Sequence, residues 1–245
     1  MTQTTTATPP AAAGSKSLSA RILGVLFAPR ATYADVAANP RWIGVFLAVF
    51  LVMSAVATAF VATEVGRTAV VDQQIAQSEA YGGTMDQARV DALERMSSNY
   101  VCLAAVFQFF GQTIATLMVA GVAFAVFTAF LGGDATFKQV FAIAAHSGVV
   151  LAALSLVTTP LAYARESVSG ATNLGIFLPF LDERSVAARM LGAIDLIYIW
   201  WLISLAIGLG VLYRKRTAPI ATSLLVIYAS IGLIIAVIKT VMSGV

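Results

Sequence analysis

Few side chains in this sequence could do chemistry, and most of them sit inside apolar runs. The single histidine, His146, lies in "FAIAAHSGVVLAAL", and one carboxylate, Asp195, interrupts "LGAIDLIYIWWLISL". Gln108 and Gln112 stand four apart, on one face of a helix, in "FQFFGQ". One histidine excludes a histidine-built metal cluster or a repeated proton relay. The lone Cys102 excludes an internal disulfide and a cysteine-built metal site, and is read as a small apolar helix residue. No glycine-rich phosphate loop, zinc-protease helix or nucleophile elbow is present. The sequence therefore assigns no catalytic, cofactor-binding or metal-ligating residue, and the chain is read as not being an enzyme.

An ionisable group within a membrane span is by default a functional hypothesis. His146 falls about eight residues past the start of its run, roughly 12 Å along a helix. Two readings stand: a functional group, or a neutral imidazole bonded to a backbone carbonyl or a nearby serine. Asp195 has no acidic partner in the apolar runs. It is read first as glue between helices, hydrogen-bonded to Gln108 and Gln112. Contact with a partner and a transport site are its other readings.

The elements that must position these groups follow from composition. Hydrophobic residues make up 59% of the 245 residues and charged ones 11%, against about 25% charged in a soluble domain. The solvent such a chain fits is lipid. Five runs are long and apolar enough to cross roughly 30 Å of hydrocarbon as helices. They lie at about 42–63, 108–131, 139–163, 190–213 and 217–239. The runs are continuous, not alternating, which argues against strands. The expected fold is all-α and polytopic, with five transmembrane helices. Residues 1–17, "MTQTTTATPPAAAGSKS", are expected to form a disordered cytoplasmic tail, and 18–245 a single membrane domain. Stripes of small residues, Ala144/Gly148/Ala152, Ser204/Gly208 and Gly232/Ala236, suit close helix packing.

Basic residues in short loops mark the cytoplasmic side. Eight of them flank the inner ends: Lys16, Arg21, Arg30, Arg41, Lys138, Arg214, Lys215 and Arg216. They face only Asp35 and Asp134. The other side holds seven basic residues among nine acids, spread over longer loops. This places the amino terminus in the cytoplasm and the carboxyl terminus outside, in the cell (inner) membrane. The net charge of +3 gives no argument for nucleic acid as a partner.

Two segments between the runs are candidate contact elements. "SLSARILGVLFAP" puts Leu18, Ile22, Val25 and Leu26 on one face, with Ser19 and Arg21 off it. It is too short to span, so it is expected at the inner interface or against the end of the bundle. Pro29 stops it. Tyr33 follows in a short second helix, with Thr32 a candidate cap. Pro40 is expected to open the first span, and Trp42 to sit at the headgroup boundary. This elbow turns a surface helix into a crossing one. Residues 64–99 are expected to form an extracytoplasmic helical hairpin, broken at Gly82–Gly83 and restarted by a capping box of Thr84 and Gln87. Its arms extend the neighbouring spans, with Val71, Ile75, Leu93 and Met96 between them. The loop 165–189, with "NLGIFLPFLDERS", is expected along the outer interface.

The elbow "FAPRATYADVAANPRW", the entry "ATFKQVFAIAAHSGVVLAAL" and the fourth run "LGAIDLIYIWWLISLAIGLGVLYRK" together resemble the bacterial branch of the Yip family of Ypt/Rab-interacting membrane proteins. In the fourth run the matching positions are Asp195, Tyr198, Trp200, Gly208 and Gly210. The resemblance covers roughly Leu18 to the carboxyl terminus. It implies five spans and a cytoplasmic amino terminus. Eukaryotic relatives act in vesicle traffic and bind small GTPases, but their acidic-aromatic motif before the first span is absent here. Some bacterial relatives look like accessory subunits of transport complexes. The functional expectation is a non-enzymatic membrane scaffold or accessory subunit, associated with an ABC-type exporter or with membrane trafficking, its partners the lipid bilayer and other membrane proteins or itself. The alternative is a small transporter or channel with a polar path near Asp195, Gln108, Gln112 and His146. Candidate structural or partner-contact residues are Pro29, Tyr33, Pro40, Trp42, Gln108, Gln112, His146, Asp195 and Trp200.

Overall fold

Capping and proline chemistry divide the amino-terminal region as the sequence suggests, with three differences. In the computed structural model, which describes residues 15–168, 172–178, 180 and 185–242, helix α1 runs Leu18–Phe27. Ser17 caps it by accepting from the Ala20 amide. It ends before Pro29, which is the first residue of α2, Pro29–Ala38. Thr32 is not a cap; it lies inside α2 and is fully buried. Pro40 does not open the next helix. It sits in a non-helical link, and α3 begins three residues later, Ile43–Val61, after Trp42. Arg21 is not off the packed face; it is 2% exposed. Most of the tail 1–17 lies outside the described residues.

Thr63 caps α4, Glu64–Ala80, by accepting from Gly66. The α3–α4 break is therefore a capped junction, and α4 does not simply prolong α3. Phe60, Ala69 and Ala162 form a small apolar cluster there. Gly82, at φ +74°, turns the chain. The cap of α5 is Asp86, accepting from Arg89, and not Thr84. Helix α5, Gln87–Phe124, is 38 residues long, so the second arm of the hairpin and the second apolar run are one rod. It passes into a π-helical segment, Ala125–Phe130. Here Phe127 stacks on Tyr213 with ring centroids 5.1 Å apart, and the Thr128 and Tyr213 hydroxyls lie 2.8 Å apart. The side chain of Met96 lies outside the described residues, as does that of Cys102.

A capping box of Thr136 and Gln139 starts α6, Phe137–Ala164. The fourth apolar run is not one helix from 190. It is split into α7, Val186–Gly192, and α8, Leu196–Leu212. Asp195 makes the break: its carboxylate accepts from the Ile197 amide and starts α8 afresh. A tight turn leads to α9, Thr217–Met242. Between α6 and α7 a short 3₁₀ turn, Leu174–Phe177, is tied to the start of α8 by an isolated bridge of Asn173 with Asp195. Residues 179 and 181–184 of the "NLGIFLPFLDERS" stretch lie outside the described residues.

The fold is all-helical. Helix α6 is its axis: 61% of its most apolar stretch is buried, against 11% for that of α5. It packs against α1, α2, α3, α5 and α8, with α9 outside α8. Among the described residues, four helical segments are long and apolar enough to cross a membrane: Ile43–Val61, Ala105–Ala129, Phe137–Ala164 and Thr217–Met242. Helix α8 is apolar but has 17 residues, about 25 Å of rise, slightly under the hydrocarbon thickness.

Candidate functional site: the amino-terminal helix pair on the bundle

Helices α1 and α2 form a hairpin seated on the bundle, and polar bonds fix it from within. The α1–α2 approach is close because Gly24 faces the Thr32 side chain; a Cβ there would collide with its Oγ1. Across the same contact, Arg21 Nε donates to Asp35 at 2.7 Å. The two side chains are 3% and 12% exposed, so the pair is largely desolvated. The Lys16 amide donates to the other Asp35 oxygen, and its ammonium to Thr32 Oγ1. Arg21 also reaches the Arg41 carbonyl at 3.5 Å. One guanidinium thus ties the start of α1 to α2 and to the link before α3.

The bottom of α2 is pinned to the bundle. Tyr33 is fully buried, and its hydroxyl lies 2.7 Å from Ser204 Oγ on α8. Its ring rests over Gly208: a Cβ at that position would stand 3.1 Å from the Tyr33 ring and 2.5 Å from Ile143 of α6. The Ser204/Gly208 stripe is therefore the seat of a tyrosine from α2. Burial raises the Tyr33 phenol pKa well above its usual value, outweighing the opposite effect of the Ser204 bond. At the end of α2, the Ala37 carbonyl accepts from Gln139 Nε2 at 2.9 Å. Arg30 donates to Thr217, at the start of α9.

A family model, the Yip1 domain, matches residues 23–238. The chain belongs to the Yip1 family. No curated protein and no solved structure matches it.

The match begins midway along α1, after Arg21, and takes in all of α2 and nearly all of α9, so in this Yip1 chain the elbow is part of the domain. The remaining expected residues distribute over three regions. Trp42 packs edge-on against Phe141, with centroids 4.9 Å apart, and against Phe46 at 6.0 Å. Pro29 starts α2, and Pro40 lies in the link. His146 is fully buried in α6 and its Nδ1–H donates to the Ala142 carbonyl at 2.7 Å, while Nε2 has no partner. The neighbouring Ser147 serves Trp201, whose indole N–H donates to it at 3.0 Å.

Asp195 does not meet Gln108 and Gln112. Its carboxylate takes the Thr172 hydroxyl at 2.7 Å and the Ile197 amide at 2.8 Å. Its own amide donates to the Tyr228 hydroxyl, which in turn donates to the Ala193 carbonyl. Asp195 therefore joins the α6–α7 loop, α8 and α9. Gln112 is half-buried with Oε1 unpartnered. Trp200 is 45% exposed, and the adjacent Trp201 makes the bond to α6 instead.

Sequence reasoning missed Arg21–Asp35, Ser204 as a partner of Tyr33, and Trp201–Ser147. A signal for the first existed: two opposite charges amid apolar neighbours on successive short helices. The others join positions far apart in sequence, and no local pattern marks them.

Proposed function

We propose that this Yip1 protein is a non-enzymatic membrane scaffold or accessory subunit that presents the α1–α2 pair to a partner. Helix α8 would supply the fifth crossing, with the amino terminus cytoplasmic and the carboxyl terminus outside. The supporting observation is a contrast within α1. Its inner face is fixed by Arg21–Asp35 and by burial of Val25, while Leu23 and Phe27 on the other side are 58% and 83% exposed. A rigidly held helix with a free apolar edge suits a docking element. The partner class we favour is another membrane protein, an ABC-type exporter of a bacterial inner membrane among them, or a second copy of the chain.

Photo-crosslinkers placed at Leu23 and Phe27 in native membranes test this. Discrete adducts from both positions, absent from a probe at exposed Leu51 on α3, are the expected result. Recovery of the chain alone after gentle solubilisation, with no adduct, overturns it.

A second reading rests on buried polar atoms without partners, Ser54 Oγ, Gln112 Oε1 and His146 Nε2. Such groups suit a hydrated transport path including Asp195 and Gln108. Asp195→Asn keeps a good helix cap, so loss of flux in a liposome assay with an intact fold would favour this reading over the scaffold.

A further inference from the structure

A large crevice lies along α8. It occupies about 1180 Å³ between α5 and α9, with α8 as its floor. This exceeds the roughly 300–1,000 Å³ of sites for drug-sized molecules. Val122, Val126, Leu205, Leu209, Leu224 and Ile227 give it apolar walls. One end is different. There the rim is the α8–α9 turn, Arg214, Lys215 and Arg216, opposed by the single carboxylate Asp134. All three cations are exposed, and none makes an ion pair among the described residues. The turn holds them in place: Lys215 N–H donates to the Gly210 carbonyl at 2.9 Å, and Arg214 takes the left-handed conformation, φ +54°, that closes the helix.

We infer that this crevice binds an anionic phospholipid, its phosphate against Arg214, Lys215 and Arg216 and its acyl chains between α5 and α9. The walls reach the lipid-facing sides of both helices, since Val122 and Ile227 are 64% and 56% exposed, so a chain enters sideways from the bilayer. Basic pockets between transmembrane helices at headgroup level are the form that anionic lipid sites take. The rim's surplus of positive charge selects an anionic headgroup over a zwitterionic one. Residues 1–14 of the same chain do not compete for the rim by charge, because they contain no Asp or Glu.

Trp201 lines the crevice and reports on it. The full chain carrying Trp42→Phe and Trp200→Phe, which leaves Trp201 as its only tryptophan, is reconstituted in phosphatidylcholine vesicles. Brominated phosphatidylglycerol or brominated phosphatidylcholine is then titrated in, and quenching of tryptophan emission is followed. Phosphatidylglycerol is expected to quench saturably at low mole fraction, and phosphatidylcholine only in proportion to its amount. Replacing Arg214, Lys215 and Arg216 by Gln should weaken the apparent affinity by about 150-fold, since each cation near an anionic surface contributes about a factor of 5–6. Equal quenching by the two lipids, or unchanged selectivity in the folded triple variant, overturns the inference. So does binding of a soluble polyglutamate peptide with no preference for the anionic lipid. If the triple variant fails to fold, Leu224→Phe decides: it narrows the crevice, keeps the cations and adds no second indole. Loss of saturable quenching then supports the site, and retained selectivity overturns it.

Discussion

The hydroxyl of Tyr33 lies 2.7 Å from that of Ser204, buried, although 171 residues separate them. This contact joins the elbow to the bundle, and the surrounding energetics can be measured.

Removing the phenol oxygen with Tyr33→Phe leaves the buried Ser204 hydroxyl without this partner. The expected cost is about 1–3 kcal/mol, read as a lower melting temperature in detergent. Adding Ser204→Ala to Tyr33→Phe should recover part of that loss. A double-mutant cycle should give a coupling of about 0.5–1.5 kcal/mol.

The same phenol predicts a pH dependence. Its pKa is raised in the fold by burial, so above the unfolded value of about 10 the unfolded chain has lost a proton that the folded chain keeps. Stability is then fully present below pH 10 and falls as pH rises beyond it, approaching about 1.4 kcal/mol per pH unit. Thermal unfolding followed from neutral to alkaline pH should show this slope, and Tyr33→Phe should reduce it.

Gly208 should tolerate no larger side chain. A Cβ would stand 2.5 Å from Ile143 and 3.1 Å from the Tyr33 ring, at the junction of α2, α6 and α8. Gly208→Ala is expected to cost about 1–3 kcal/mol by overpacking. Gly121, which meets nothing within 4 Å, is the control: Gly121→Ala should be neutral or stabilising in the same melting assay.

Breaking the Arg21–Asp35 pair should be the most damaging of these changes. Asp35→Ala leaves the guanidinium, 3% exposed, without its counter-charge, at an expected 3–5 kcal/mol. Replacing both residues, Arg21→Met with Asp35→Leu, should restore much of the loss, because no buried charge remains. Limited proteolysis between α1 and α2 would report the same order.

For Asp195 the expected result depends on the substituent. Asp195→Ala removes the α8 cap and a partner of Thr172, costing about 0.5–2 kcal/mol, while Asp195→Asn should be close to wild type. Circular dichroism and melting of the two variants compare them directly.

How much of this could be read from the sequence varies by element. Apolar runs and proline positions indicated helices, the stop at Phe27 and the all-helical class, because backbone satisfaction in an apolar solvent leaves a continuous apolar run little else to form. His146 bonded to a backbone carbonyl was also legible, since the acceptor lies one turn back in its own helix. Pro40 misled, because proline is compatible with a helix start without requiring one. The run at 190–213 misled for a similar reason: apolar composition does not show that a carboxylate will cap and divide it.

The sequence by itself determined what is local: which stretches are helical, which are apolar enough to meet lipid, and where basic residues cluster. Only the tertiary structure decided that Arg21 is buried against Asp35, that Ser204 and Gly208 receive Tyr33, that Asp195 holds Thr172 and not Gln108 or Gln112, and that Arg214, Lys215 and Arg216 rim an apolar crevice. The physical reason is distance along the chain. Helix periodicity and capping act within a few residues, whereas these contacts join elements whose relative placement is fixed by the packing of all the helices around α6.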